Sequence, residues 1–209
     1  MLKGNLEKFI LPESFYNRDT VAVAHDSLGK ILLKKNNGIW SGGMIVEAEA
    51  YLGQDDPASH ASRKITPRNK VMFGPVGNTY VYLIYGMYHC FNLVAYNMES
   101  RRAGAVLIRA IEPLFDMLAM KKRRNREKIH ELTNGPGKMC QALDITKADN
   151  GKSLQDGDML VIENRDPEKF NIVQDTRIGI KEGVDYPFRF YISENLFVSR
   201  KARKKSYRC

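Results

Sequence analysis

Residues 44–51, MIVEAEAY, place two glutamates and a tyrosine at alternate positions. Side chains of an extended strand alternate faces, so Ile45, Glu47, Glu49 and Tyr51 share one side, and Met44, Val46, Ala48 and Ala50 the other. The commoner fate of strand glutamates is a solvent-facing polar side. A second stretch, AVLIRAI (residues 105–111), points elsewhere, because Arg109 interrupts an otherwise apolar run. A buried arginine is unfavourable unless it is paired and hydrogen-bonded. Glu49 on one strand and Arg109 on another therefore read as a paired, partly buried carboxylate. Such a pair is either purely structural or holds the carboxylate ionised and aimed at a water, as a general base requires.

Residues 79–92, TYVYLIYGMYHCFN, gather Tyr80, Tyr82, Tyr85, Tyr88 and Phe91 in one hairpin. Alternation sets Tyr80 and Tyr82 on one face and Tyr85 on the other. Tyr85 also precedes Gly86, so it projects from the tip of the turn. One reading is ordinary core and cross-strand pairing. The other is a set of flat surfaces for stacking bases, with the tip aromatic inserted into a base stack. His60 lies in the loop QDDPASHASRKITPRNK (residues 54–70), acidic at its start and basic at its end. A lone loop histidine carries little weight by itself.

These residues need elements to position them, and the chain is long enough to build one domain around them: 209 residues, 43% hydrophobic. Lysine and arginine number 33 against 24 acidic residues, a net charge of +9 that fits a polyanionic partner (DNA, RNA or an anionic membrane) as well as simple solubility. Cys90, Cys140 and Cys209 stand far apart without metal-ligand spacing, and the four histidines are scattered. The pattern reads as free thiols in a reducing compartment, with no metal site. A Cys-x-x-Cys, a Walker loop and a GxGxxG are absent. No apolar run is long enough to cross a bilayer, and the first fifteen residues, with Glu7 and Glu13, do not read as a signal peptide. The expected location is intracellular: a bacterial cytoplasm with its nucleoid, or a nucleus in a eukaryote.

Asp19 can cap a helix running to about residue 28, ended by Gly29. Residues 31–33 and 39–51 read as strands around the turn Asn36-Asn37-Gly38. Thr66-Pro67 looks like a helix start. Residues 79–85 and 87–96 form the tyrosine hairpin, and 103–111 a buried central strand. Pro113 is expected to open a helix to about residue 126, and Asn134-Gly135-Pro136 another to about 143. Short strands are expected at 159–162, 177–180 and 188–192. Hairpins with interspersed helices give an α+β class around a largely antiparallel sheet. The expected organisation is a single domain over residues 1–199 and a basic tail over 200–209, which adds non-specific attraction to phosphate.

The stretch EAEAYLGQDDPASHASRKITPRNKVMFGPVGNTYVYLIYGMYHCFN, followed by AGAVLIRAIEP, NGPGKMCQALDI and, more weakly, TRIGI and FRFYI, resembles the alkyladenine (3-methyladenine) DNA glycosylase family. The likeness runs in several long, ordered motifs from about Leu11 to Ser199. It implies a single compact domain with a curved antiparallel sheet and a protruding β-hairpin that enters the minor groove of double-stranded DNA. It implies no cofactor and no metal, and a monofunctional enzyme, expected as a monomer, that excises alkylated or deaminated purines: 3-methyladenine, 7-methylguanine, hypoxanthine, ethenoadenine. The glutamate of the family's E-x-E-A-Y pattern falls on Glu49, as the base that activates water. The arginine of L-x-R-A-x-E-P falls on Arg109, which positions water and carboxylate. Tyr51, His60 and Tyr82 fall on residues that sandwich a flipped base, Asn92 on a position that discriminates among purines, and Tyr85 on the wedge that fills the gap in the duplex. Ser27 stands where the family has leucine, and in GMYHCFN an aromatic and a histidine are exchanged. Neither change touches an assigned position.

Two other classes fit parts of the pattern. A non-catalytic nucleic-acid-binding protein would use the basic surface and the tyrosine hairpin alone, but a carboxylate strand puts negative charge where phosphate is drawn in. A formyltransferase-like domain handling RNA would share only the fold, and the set Glu49, Tyr51, His60, Tyr82 and Arg109 speaks against it.

Overall fold

Asn37 and Gly38 take φ of +49° and +81°, the left-handed pair that a two-residue hairpin turn requires. They join β1 (Ile31–Asn36) to β2 (Ile39–Tyr51). The computed structural model describes residues 6–99, 103–165 and 169–200. All of the basic tail beyond Arg200 lies outside the described residues.

The 13-residue β2 is the axis of an antiparallel sheet that curls around the core. Along one edge it pairs with β5 (Ala105–Phe115). Its other edge is divided: β1 takes residues 39–44, and β8 (Arg189–Ile192) takes Glu47, Ala48 and Glu49. The register with β5 shifts between Ile45 and Glu47 and again between Glu47 and Ala48. Such irregularities bend a strand and sharpen its twist, and here they fall where the edge changes partner. Beyond β5 lie β4 (Tyr88–Val94) and then β3 (Thr79–Ile84). β6 (Met159–Ile162) continues the sheet beyond β1, and β7 (Ile172–Asp175) beyond β8. Leu32, Ile45, Val46, Ala48, Phe91, Leu93, Ile108 and Ile111 join the main core. Ile31, Leu33, Leu160 and Ile162 bury the opposite side of β1 and β6.

Among the described residues four short α-helices surround the sheet: α1 (Glu13–Tyr16), α2 (Thr20–Asp26), α3 (Met117–Arg124) and α4 (Pro136–Leu143). Asp19 caps α2 as its type suggests, its carboxylate accepting from Val21 N–H at 2.9 Å and Ala22 N–H at 3.1 Å. No helix among the described residues is long and apolar enough to cross a membrane.

Three expectations need correction. Pro113 does not open a helix; it continues β5 opposite Gly43, and α3 begins only at Met117. The register is irregular there, and a proline without an N–H is tolerated where the ladder is already interrupted. Thr66-Pro67 starts a turn instead of an α-helix. Asn69 ties back to Thr66 and donates to the carbonyls of His60 and Lys64, and only a 3-10 turn, Lys70–Phe73, follows before Gly74-Pro75 stops it. Residues 177–180 form a loop, not a strand, and the strand of this region is β7.

Candidate active site

Glu47 and Glu49 have no exposed surface, so the commoner expectation of a solvent-facing carboxylate strand fails. The tertiary reason is that the Arg189 side chain from β8, the loop after β7 at Ile178 and the segment at Ser199 close over this side of β2. Arg109, on the neighbouring β5, lies between the two carboxylates. Its Nε donates to Glu47 Oε1 at 3.0 Å and its Nη1 pairs with Glu49 Oε2 at 3.1 Å. Tyr51 donates its hydroxyl to the same Oε2 at 2.9 Å. The backbone N–H of Ile178 donates to Oε1 at 2.8 Å. Three donors thus hold one buried carboxylate, which is what a buried charge requires. Burial, and next the neighbouring Glu49 charge, push the Tyr51 hydroxyl well above the usual phenol range, so it stays a donor. Burial works against the charge on Arg109, but Glu49 and then Glu47 more than offset it and hold the guanidinium protonated.

Tyr51 and Arg109 form part of the wall of a cavity of about 600 Å3, which also meets His60, Tyr82, Asn92 and Tyr85. That volume lies within the ~300–1,000 Å3 common for small-molecule sites. His60 shares a 2.9 Å hydrogen bond with the Tyr80 hydroxyl and packs edge-on against Tyr82, centroids 4.7 Å apart. Asn92 donates to the Tyr80 carbonyl at 2.9 Å, which fixes its carboxamide in the wall. All the residues expected to form a pocket are therefore brought together.

The family model for methylpurine-DNA glycosylase (MPG) matches residues 14–196. A relative from Methanoculleus marisnigri is 47% identical over 195 residues, covering 91% of this chain and 99% of that protein. One from Carboxydothermus hydrogenoformans is 47% identical over 193 residues, covering 92% and 100%. Both carry the name "Putative 3-methyladenine DNA glycosylase". The chain belongs to the methylpurine-DNA glycosylase family.

In this glycosylase the hairpin tip is where the sequence puts it. Tyr85 is 81% exposed, and Leu83 and Met87 beside it are also exposed. Tyr85 (φ +54°) and Gly86 (φ +70°) are both left-handed. That conformation is uncommon for an aromatic residue, and it lifts the ring off the sheet.

Sequence reasoning missed the groups behind the pocket. Arg177 is buried, forms a two-pronged ion pair with Asp56, donates to the Ala50 carbonyl at 2.9 Å and lies 4.7 Å from the Tyr51 ring centroid. It therefore backs the tyrosine that faces the cavity. The same segment fails to be a strand because the Ile178 N–H bonds Glu49 instead of a sheet neighbour. Glu47 was seen on the right face, but nothing in its spacing showed that it shares Arg109. Arg68, at the cavity wall, stands over the Tyr82 ring at 4.8 Å; its place in the polar loop gave no such signal.

His60 provides a pH-dependent readout of this wall. Its outer edge is exposed, but burial of the inner ring, and next the Arg68 charge, lower its pKa from 6.5 to about 4. The unfolded chain therefore binds more protons between these values. The contribution of His60 to stability is complete above pH 6.5 and is lost as pH falls toward about 4. In a proton NMR titration the His60 ring resonance should move with a midpoint near 4. A midpoint near 6.5 would mean that the ring does not sit in the wall described.

Proposed function

We propose that this methylpurine-DNA glycosylase family member hydrolyses the N-glycosidic bond of alkylated or deaminated purines in double-stranded DNA, after turning the damaged nucleotide out of the helix. The reading rests on one observation above others: a fully buried carboxylate, Glu49, is held by Arg109, Tyr51 and Ile178 directly behind an aromatic cavity of about 600 Å3. The names of the relatives favour 3-methyladenine among the substrates. Hypoxanthine, 7-methylguanine and ethenoadenine extend the reading.

Basic side chains hold the phosphates with little regard for sequence. Unstacking the nucleotide costs roughly a few kcal/mol, part of which Tyr85 offsets by entering the gap from the hairpin tip. The base stacks among Tyr51, His60 and Tyr82, beside Asn92. A carboxylate offers about four acceptor sites; Tyr51, Arg109 and Ile178 take three of those on Glu49, and in this reading the remaining one accepts from a water that enters between Glu49 and the cavity once the base is seated. That water attacks the anomeric sugar carbon. Its proton goes to Glu49, the sugar–nitrogen bond breaks, and the electron pair leaves with the base. A purine alkylated to a cation departs neutral and needs no proton; hypoxanthine and ethenoadenine, uncharged in DNA, depart as anions and take up a proton from water. The Glu49 charge also stabilises the positive charge growing on the sugar.

The test is single-turnover release of hypoxanthine and of 7-methylguanine from duplex oligonucleotides, with EDTA present. Release with an intact DNA backbone is expected. Tight lesion binding with no release of either base, nor of 3-methyladenine from methylated duplex DNA, would overturn the reading in favour of a scaffold that only binds. The wedge is tested separately by the fluorescence of 2-aminopurine placed beside a lesion. Tyr85→Ala should reduce the enhancement that wild type produces, and equal signals for the two proteins would remove Tyr85 from the role.

A further inference from the structure

Glu47 has no part in the mechanism above, yet it is as deeply buried as Glu49 and more heavily bonded. Its Oε1 accepts from Arg109 Nε at 3.0 Å, Arg189 Nη1 at 2.9 Å and the Ser199 hydroxyl at 2.9 Å. Its Oε2 accepts from the Ser199 N–H at 2.6 Å. These donors come from β5, from β8 and from the segment after β8. Arg189 is fixed in turn by Asp175 at 2.7 Å, the Thr176 carbonyl at 3.0 Å and the Arg200 carbonyl at 2.7 Å.

We propose that Glu47, anchored by Arg189 and Ser199, is a positioning residue for base excision: it holds Arg109 so that Nη1 faces Glu49, and it divides the arginine's charge between two carboxylates. The inference rests on the functional reading above. A guanidinium is a rigid planar fork. With Nε on Glu47, the direction of Nη1 is no longer free. The pairing is not needed merely to satisfy Glu47, because Arg189 and Ser199 already supply a counter-charge and further donors. Nor is a buried ionic cluster favoured for stability alone, since apolar replacements are often neutral or stabilising. What the shared arginine adds is an aim and a field at Glu49. The segment carrying Ser199, 150 residues after Glu49 in sequence, thereby becomes part of the catalytic scaffold.

The charged and titratable groups around Glu49 fix the sign of the effect. Arg109 from β5, Cys90 from β4 and Tyr51 from β2 face Glu49 itself; Arg189 from β8, with Asp175 from β7 behind it, faces Glu47, and Arg177 from the following loop stands against Tyr51. Glu47→Gln removes a negative neighbour and leaves Arg109 to Glu49 alone. Both changes favour ionised Glu49 and make it a weaker proton acceptor.

The experiment measures single-turnover excision of hypoxanthine against pH and DNA concentration, using the full chain as wild type, Glu47→Gln, Glu47→Asp and Ser199→Pro. A thermal melt checks the fold of each. In Glu47→Gln the saturating rate should fall by about tenfold or more, as for partners that orient metal ligands. Half-saturation by DNA should stay near wild type, and the acidic limb of the rate profile should move to lower pH. Glu47→Asp keeps the charge, so it should keep the limb in place. Ser199→Pro, which removes both donors of that residue at the half-buried end of the network, should slow excision several-fold. A folded Glu47→Gln with the wild-type rate and limb overturns the proposal. So does an equal loss in Glu47→Gln and Glu47→Asp with no shift of the limb, which marks packing alone. If Glu47→Gln does not fold, a wild-type rate in Ser199→Pro overturns it. Wild-type protein that releases none of hypoxanthine, 7-methylguanine and 3-methyladenine brings down the functional reading, and this inference with it.

Discussion

Glu49→Gln should lower single-turnover base excision by at least ~10²-fold, the low end for loss of a general base, while lesion DNA is still bound. The amide cannot take the proton of the attacking water. It can still accept from the Tyr51 hydroxyl and from Arg109, which now meet Glu49 Oε2 at 2.9 and 3.1 Å. Arg109 also keeps Glu47 as a counter-charge at 3.0 Å. The remaining change is at Ile178, whose N–H meets an amide in place of a carboxylate oxygen. Left facing an amide NH2, that donor costs about 1–3 kcal/mol, less than the ~5–15 kcal/mol that holds a typical domain folded. Rate and fold are thus separable, and a melt near wild type beside a collapsed rate is the expected pair of results. An unchanged rate would remove Glu49 from the chemistry.

Arg109→Met should be the most destabilising single change at the site, by about 3–5 kcal/mol at neutral pH. The arginine is buried between two carboxylates that have no exposed surface. Glu47 would keep Arg189 and Ser199. Glu49 would keep only the Tyr51 hydroxyl and the Ile178 N–H, so an uncompensated charge would remain inside. Putting a proton on Glu49 relieves it. The gap to wild type, measured by chemical denaturation, should therefore narrow as the pH is lowered through the carboxylate range. A loss below about 1 kcal/mol, the range of exposed pairs, would show that the cluster is effectively solvated.

The candidate site residues were legible because each breaks a local rule. Arg109 is the one charge in the apolar run 105–111, and Glu49 recurs at strand spacing with Tyr51. Tyr85 precedes a glycine at a turn. The first hairpin was equally legible, since Asn37-Gly38 encodes a backbone conformation and not a contact. Pro113 and Thr66-Pro67 misled because their helix signals are local, while a register shift in β5 and the side chain of Asn69 decided the outcome.

By itself, then, the sequence determined the α+β class, the hairpin with its exposed tip and the pairing of Glu49 with Arg109, because period, turn chemistry and the penalty for a lone buried charge are all properties of short segments. Only the tertiary structure decided that Glu47 shares the arginine, that Arg177 backs Tyr51, and that the Ile178 N–H and the Ser199 segment close over the carboxylates. Those partners lie more than 60 residues away in the chain. Strand periodicity says which face a side chain takes, and it says nothing about which distant segment will cover that face.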